Sequence, residues 1–345
     1  MYDKLMKHTA IGSIMFSISA MCIMLYVAFH TTVEASVAAG EISPEHKVNE
    51  AETIESPVNT KELAIVKEDN GQAYLCIPLS ENITEEQLVL EANYVEQQLC
   101  ITITGQEEGF YNDNRITDNS GCIGKVLWSY HRGNTKLQLQ LNGLYEYNVF
   151  CKNNMLFIEF RIPREEYDKI VVIDAGNTYG EIPLTIVKRL KEKLDATDIR
   201  AYYTRLDESN PSQEKRVALA NLLKADMLIS VQVNEDTEDS MMQGIQTIYN
   251  PTFFIPLLSS IDLADIMEKE VCRETGAAAR GLIPAEDSEI LVNKVSRPVT
   301  IVQVGYVSNK KEKELLEDDS YIEKVADGLY DGIMEAYAKL GKEES

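Results

Sequence analysis

Histidine is scarce in this chain. Its 345 residues hold four, His8, His30, His46 and His131, and none follows His131. The C-terminal half therefore offers no imidazole as a metal ligand or a general base. Cys272 in that half has no histidine to activate it, which excludes a Cys/His nucleophile within its own domain. No Cys-x-x-Cys occurs and no histidine lies close to a cysteine pair, so a zinc knuckle is excluded. No G-x-x-x-x-G-K-[ST] or G-x-G-x-x-G follows a strand-like run, which argues against nucleotide use. Basic residues are also few: 33 against 56 acidic, for a net charge of −23. Divided at Asp168, the chain carries 23 acidic and 12 basic residues before it and 33 and 21 from it onward. The acidity is thus general, and nucleic-acid binding through phosphates, which needs a basic face, is excluded.

Among what the chain does have, residues 10–29 contain no charged side chain, enough to cross a bilayer as a helix. Lys4, Lys7 and His8 precede this run and Glu34, Glu41 and Glu45 follow it. The positive-inside bias then leaves residues 1–9 as a cytoplasmic tail and the rest of the chain outside. A cleaved signal peptide ending near Ser36-Val37-Ala38 is the alternative; the run is longer than a usual h-region, which favours an uncleaved anchor. Both place the remainder in the cell envelope. Residues 30–60, rich in Glu, Ala, Ser, Thr and Val, read as a flexible linker.

Residues 61–166 read as a small all-β domain. Cys100–Thr104, Leu137–Leu141 and Leu156–Ile162 alternate with period two, and Asn142-Gly143 and Asn153-Asn154 punctuate them, as in a sandwich of short strands. Four cysteines fall here, Cys76, Cys100, Cys122 and Cys151. They allow two disulfides or buried thiols, and composition does not choose between them. No catalytic constellation appears, and attachment to wall polymer or to another protein is the functional expectation.

From Asp168 the period changes. Ile170–Ile173 is a continuous apolar run leading into Asp174-Ala175-Gly176, the pattern of a buried parallel strand entering a loop. Ile182, Ile186, Leu190 and Leu194 recur at helical spacing. Ile199–Thr204, Met227–Val231 and Val299–Val304 read as further strands. Asn210-Pro211 offers an N-cap and first-turn proline for a helix running to about Lys224. Ser259 to Asp262 caps another that stops near Gly276, and Ile322 to Leu340 supplies an apolar helix face. Glu312–Asp319, with five acidic residues, reads as a solvated helix face. Residues 168–341 are thus expected to form an α/β domain with a mostly parallel sheet flanked by helices. Ligands in such sheets bind beyond the carboxyl ends of the strands, so the loops after Ile173, Val231 and Val304 are the ones that matter.

Those loops carry an ordered series: Val172–Gly176, Tyr203-Thr204-Arg205, Arg216–Asn221, Ala225-Asp226, Ser230–Asn234, Gly244–Tyr249, Arg280-Gly281 and Val304–Asn309. In this series residues 169–340 resemble the zinc-dependent N-acetylmuramoyl-L-alanine amidases, which cut the bond between peptidoglycan glycan and stem peptide. The β segment is similar in place and character to the AMIN modules that target such amidases to the envelope. The resemblance implies zinc held by a His after the first strand, a Glu opening the first helix and a His after the third strand. It also implies a catalytic Glu two residues before the glycine of the last-strand motif.

Here those positions are occupied by Asn177, Gln232 and Gln303. The Glu ligand falls on Tyr179 in helix register, or on Glu181 with a two-residue slip. A catalytic zinc needs about three imidazole, thiolate or carboxylate ligands, and neutral amides are poor donors. Without the metal, an attacking water is too weak an acid to give hydroxide at neutral pH. Gln303 also transfers no proton, a loss on the order of 10²–10⁴ in rate. The expectation is a membrane-anchored pseudoamidase without zinc or other cofactor, binding peptidoglycan or an envelope partner. Its groove would be lined by Asn177, Gln232, Asn234, Gln303, Ser308 and Asn309. Two alternatives stand beside it: an active amidase using Glu181 with Asp174 or Glu235 around a different metal, and a protein–protein module of an envelope complex.

Overall fold

The computed structural model describes residues 60–67, 73–179, 181–252 and 257–341. The candidate cytoplasmic tail, the span 10–29 and nearly all of the linker lie outside these residues. Among the described residues no helix is long and apolar enough to cross a membrane. The described residues form a single compact unit.

In its first part, alternating apolar residues close two antiparallel sheets over one core. The five-stranded sheet runs in the order β1 (Lys61–Leu63), β6 (Ile123–His131), β7 (Asn134–Leu141), β4 (Gln98–Thr104), β3 (Leu88–Asn93). The four-stranded sheet runs β5 (Thr117–Asp118), β2 (Tyr74–Pro78), β9 (Met155–Arg161), β8 (Glu146–Lys152). Leu75, Ile77, Leu156 and Ile158 of one sheet and Leu99, Ile101, Leu137 and Leu139 of the other are buried between them. Single helical turns, α1 (Phe110–Asp113) and α2 (Pro163–Glu166), complete this part. Cys100, Cys122, Cys151 and Cys272 carry free thiols.

The second part is a six-stranded sheet in the order β11 (Arg200–Tyr203), β10 (Ile170–Ala175), β12 (Met227–Asn234), β15 (Val299–Tyr306), β13 (Ile245–Tyr249), β14 (Ala279–Pro284). Its helices are α3 (Glu181–Leu194), α4 (Gln213–Leu223), α5 (Ser260–Thr275), α6 (Ile290–Lys294), α7 (Lys310–Leu316) and α8 (Asp319–Leu340). Every residue of β10 is buried, because both sheet faces are covered. Val171, Ile173, Ile229 and Val231 point into a core with α3, α5 and α8. Ile170, Val172, Leu228 and Ile301 point the other way, against α4 and α6.

The sheet is mostly parallel, as expected; β13 alone runs antiparallel, to β15. Two other expectations need correction. Helix α4 is capped by Ser212, whose hydroxyl accepts from Lys215 N, while Asn210 two residues earlier turns its amide to Asn177 and Arg216. Glu312, expected on a solvated face, is 7 % exposed. Its carboxylate accepts from Gly244 N at 2.7 Å and Tyr306 N at 2.8 Å, tying α7 to the last strand. Burial pushes that carboxyl above its usual range.

The two parts meet along β11, the edge of the mixed sheet. Glu146 on β8 accepts from Arg200 Nη2 at 2.8 Å, and the same guanidinium reaches Tyr94 Oη at 3.1 Å. Leu144 is buried in the core of the second part, and Tyr94 meets Tyr202 edge to face with centroids 4.9 Å apart. Lys215 on α4 reaches Glu96 at 2.6 Å. This junction is aromatic and ionic together.

Candidate functional site

The parallel strands β10, β12 and β15 all deliver their carboxyl ends to one side of the sheet, and the loops there are fastened by a buried ion pair. Asp174, near the end of β10, is 1 % exposed. Its carboxylate accepts from Thr204 Oγ1 and Ser230 Oγ, both at 2.6 Å, and from Arg216 Nη1. Arg216 also donates to Ala175 O at 3.1 Å, Pro211 O at 2.9 Å and Asn177 Oδ1 at 2.7 Å. A second guanidinium, Arg205, donates to Ala175 O at 2.9 Å and Gly176 O at 2.6 Å. Burial and then Arg216 push the Arg205 guanidinium below its ordinary value. Two forked donors thus hold the carbonyls of the loop after β10. Asp174, named above as a metal-ligand alternative, has both oxygens committed to this brace.

The three amides expected from the resemblance at metal and catalytic positions are distributed as follows. Gln232 and Gln303 are register partners on β12 and β15. Gln246 on β13 pairs with Gln303 from the other side, so three glutamines cross the sheet in a row. Gln232 Nε2 donates to Ser230 Oγ at 3.2 Å, linking the row to Asp174. Gln303 Oε1 accepts from Asn234 Nδ2 at 2.9 Å, and Asn234 Oδ1 accepts from Glu235 N at 2.8 Å. Asn177 is exposed and lies one residue beyond Gly176. A Cβ at Gly176 would lie 2.7 Å from Gln232 Cγ and 3.0 Å from Val231 O, so the loop passes directly under the Gln232 side chain only because residue 176 has none. The Asn177 amide itself turns toward Arg216 and Asn210.

Ser308 and Asn309 serve the backbone. Ser308 Oγ accepts from Asp236 N at 3.0 Å. Asn309 is the N-cap of α7, accepting from Lys311 N at 3.0 Å. Tyr179, in a left-handed conformation with φ of 52°, hydrogen-bonds Glu235, which raises the phenol pKa. Glu181 opens α3 and shares with Tyr179, Glu235, Val307, Lys313 and Glu317 a cavity of about 560 Å³. The sequence reasoning missed Arg205, Arg216 and Gln246. Arg205 and Arg216 stood within the quoted motifs, but nothing in their spacing announces a shared carbonyl clamp. Gln246 is placed beside Gln303 only by an antiparallel pairing.

These residues do not suit a zinc ion. Asn177 and Gln232 are neutral amides, Asn177 is bonded to a guanidinium, and Asp174 is consumed by Arg216 and two hydroxyls. Among the described residues no group of three His, Cys, Asp or Glu side chains is placed to hold a metal. What the arrangement offers is a row of amide donors and acceptors across three neighbouring strands.

Residues 171–335 match the family model described as N-acetylmuramoyl-L-alanine amidase. The N-acetylmuramoyl-L-alanine amidase LytC of Bacillus subtilis is 26 % identical over 165 residues, covering 48 % of this chain and 32 % of that protein. The endolysin of Bacillus phage SPP1 is 28 % identical over 180 residues, covering 48 % and 65 %. The catalytic domain of CwlV, an N-acetylmuramoyl-L-alanine amidase from Bacillus (Paenibacillus) polymyxa, superposes with a TM-score of 0.45 at 26 % identity, covering 49 % of this chain and 98 % of that one. The match spans about a third of the length of the first curated relatives.

Proposed function

Residues 171–335 are a domain of the N-acetylmuramoyl-L-alanine amidase family, and from that premise we propose a membrane-anchored envelope protein that holds peptidoglycan without cutting it. Residues 10–29 are the proposed anchor, with the β part and the amidase-like domain outside the membrane. The amide row carries the reading: Gln232, Gln303 and Gln246 lie side by side, and the first two occupy the positions where the resemblance expects a metal-binding imidazole and an ionisable carboxyl. Amides both donate and accept hydrogen bonds, which suits the acetamido and peptide groups of wall polymer. They neither bind zinc strongly nor move a proton. The Arg216 guanidinium on Asn177 adds to this, because it puts positive charge where a divalent cation would have to sit.

The full-length chain, purified and mixed with murein sacculi, is expected to sediment with them, to contain no stoichiometric zinc and to release no stem peptide. Metal-dependent peptide release would overturn the proposal. A second reading keeps catalysis, with Glu181 and Glu235 around a different metal, and it draws on the cavity these two carboxylates share. Release assays across a series of divalent ions decide between the two, since only the second predicts activity restored by one of them. Failure to sediment with sacculi would instead favour a protein partner in an envelope complex.

A further inference from the structure

Strand β8 ends the four-stranded sheet, and its outer backbone groups have no partner among the described residues. Five other strands also end a sheet: β1, β3, β5, β11 and β14. Proteins blunt such edges by shortness, charge or proline. Strand β1 has three residues, β5 two and β11 four. Strand β3 carries Glu91, and β14 carries Arg280 and Pro284. Strand β8 has none of these devices over its middle. It is seven residues long, and Tyr147-Asn148-Val149-Phe150-Cys151 contains no charge. Val149 is 44 % exposed and Phe150 42 % exposed.

The outer face of this sheet carries a row of rings that stops at the same edge. Phe150 stacks on Phe157 of β9 with centroids 4.9 Å apart and planes 8° from parallel. Tyr74 of β2 meets both edge-on, at 5.6 Å and 6.0 Å. Beyond Phe150 the row is open.

We propose that β8 is the interface between two copies of this chain, joined antiparallel about a two-fold axis at Phe150. In that register Phe150 faces Phe150 of the second copy, Val149 faces Cys151, and Asn148 faces Lys152. No like charges meet, apolar residues face apolar ones, and the ring row continues across the axis. Centring on Val149 would bring Lys152 opposite Glu146, whose carboxylate is already held by Arg200 and is 15 % exposed. The Phe150 register uses only residues 148–152 and leaves that junction intact. An interface of this size falls below the standard ~1,200–2,000 Å² and dissociates readily.

Sedimentation velocity of the purified full-length chain over a concentration series tests the proposal. A monomer–dimer equilibrium is expected. Phe150→Lys sets like charges opposite each other and is expected to weaken it by at least about tenfold, with an unchanged far-ultraviolet dichroism spectrum. Val89→Lys, at a 52 % exposed site on the β3 edge, is expected to leave it unchanged. V149C under a mild thiol oxidant should give a covalent dimer through Cys151 of the second copy, and that link should vanish in V149C/C151S. A chain that is monomeric throughout, or a dimer indifferent to Phe150→Lys, overturns the interface. A link that persists in V149C/C151S overturns the register.

Discussion

Replacing Arg216 by methionine tests whether the Asp174 brace organises the site. The two side chains are 4 % and 1 % exposed, so the carboxylate left behind stays out of water. It keeps only the hydroxyls of Thr204 and Ser230. Removing one partner of a buried pair typically costs about 3–5 kcal/mol, because the remaining charge is uncompensated. For a domain of this size that corresponds to a fall in Tm of roughly 6–20 °C. Asp174→Asn should cost less, about 1–3 kcal/mol, since the guanidinium retains Ala175 O, Pro211 O and Asn177 Oδ1. The double variant should be less damaging than the sum by at least about 1 kcal/mol, the mark of two groups in direct contact. Urea unfolding followed by dichroism reads all three. A loss below about 1 kcal/mol for Arg216→Met, or strict additivity, would refute a brace built on this pair.

Two further outcomes follow from single positions. Gly244 has φ of +107° and a Cβ there would lie 2.3 Å from Ala278 O, so Gly244→Ala should cost about 3 kcal/mol or more and be visible as a lowered urea midpoint. Burial pushes the Cys272 thiol up to about 11, so alkylation of the native chain should keep accelerating up to about that pH, while the unfolded chain levels off near the ordinary thiol value. The raised value also means that this thiol's contribution to stability is full below the unfolded pKa and is lost as pH rises through about 11.

Much of the second domain is legible because local and tertiary demands coincide. The apolar run at Ile170–Ile173 has one use, a strand covered on both faces. The capping box of Ser259 and Asp262 starts α5 where its chemistry says, and Gly276 at φ of 75° ends it. Legibility fails where a distant element decides. β14 contains Gly281 and Pro284, which read as breakers, yet it pairs as an outer strand whose open side tolerates both. Glu312 sits in a run of acids and looks solvated; only the packing of α7 under Gly244 and Tyr306 makes it a buried acceptor. The site shows the same division. The residue types at positions 177, 232 and 303 were readable, but that Arg216 takes the Asn177 carbonyl depends on a helix 39 residues further on.

The three amide positions can be made to answer for themselves by installing the side chains that the resemblance implies there. N177H, Q232H and Q303E together supply two imidazoles and one carboxylate, on two neighbouring strands and on the loop that the Asp174 brace holds. Gln232 and Gln303 are in register on neighbouring strands, and residue 177 follows the glycine that lies under residue 232. If these are ligand positions, the triple variant should bind one zinc per chain and the natural chain is expected to bind none, as read by metal analysis after dialysis. Glu181 and Tyr179 compete for the remaining ligand position, and E181Q in the triple background separates them. A loss of zinc affinity of about 10-fold or more names Glu181, and no loss leaves the helix register of Tyr179 as the match. Arg216 opposes the gain, since its guanidinium lies against residue 177 and would meet both an imidazole and a cation there. The triple variant should therefore bind zinc less tightly than an intact family site, and more tightly when Arg216 is also replaced by methionine, provided the brace survives. A triple variant that folds, judged by dichroism, yet takes up no zinc would refute the assignment of positions 177 and 232 to a family metal site.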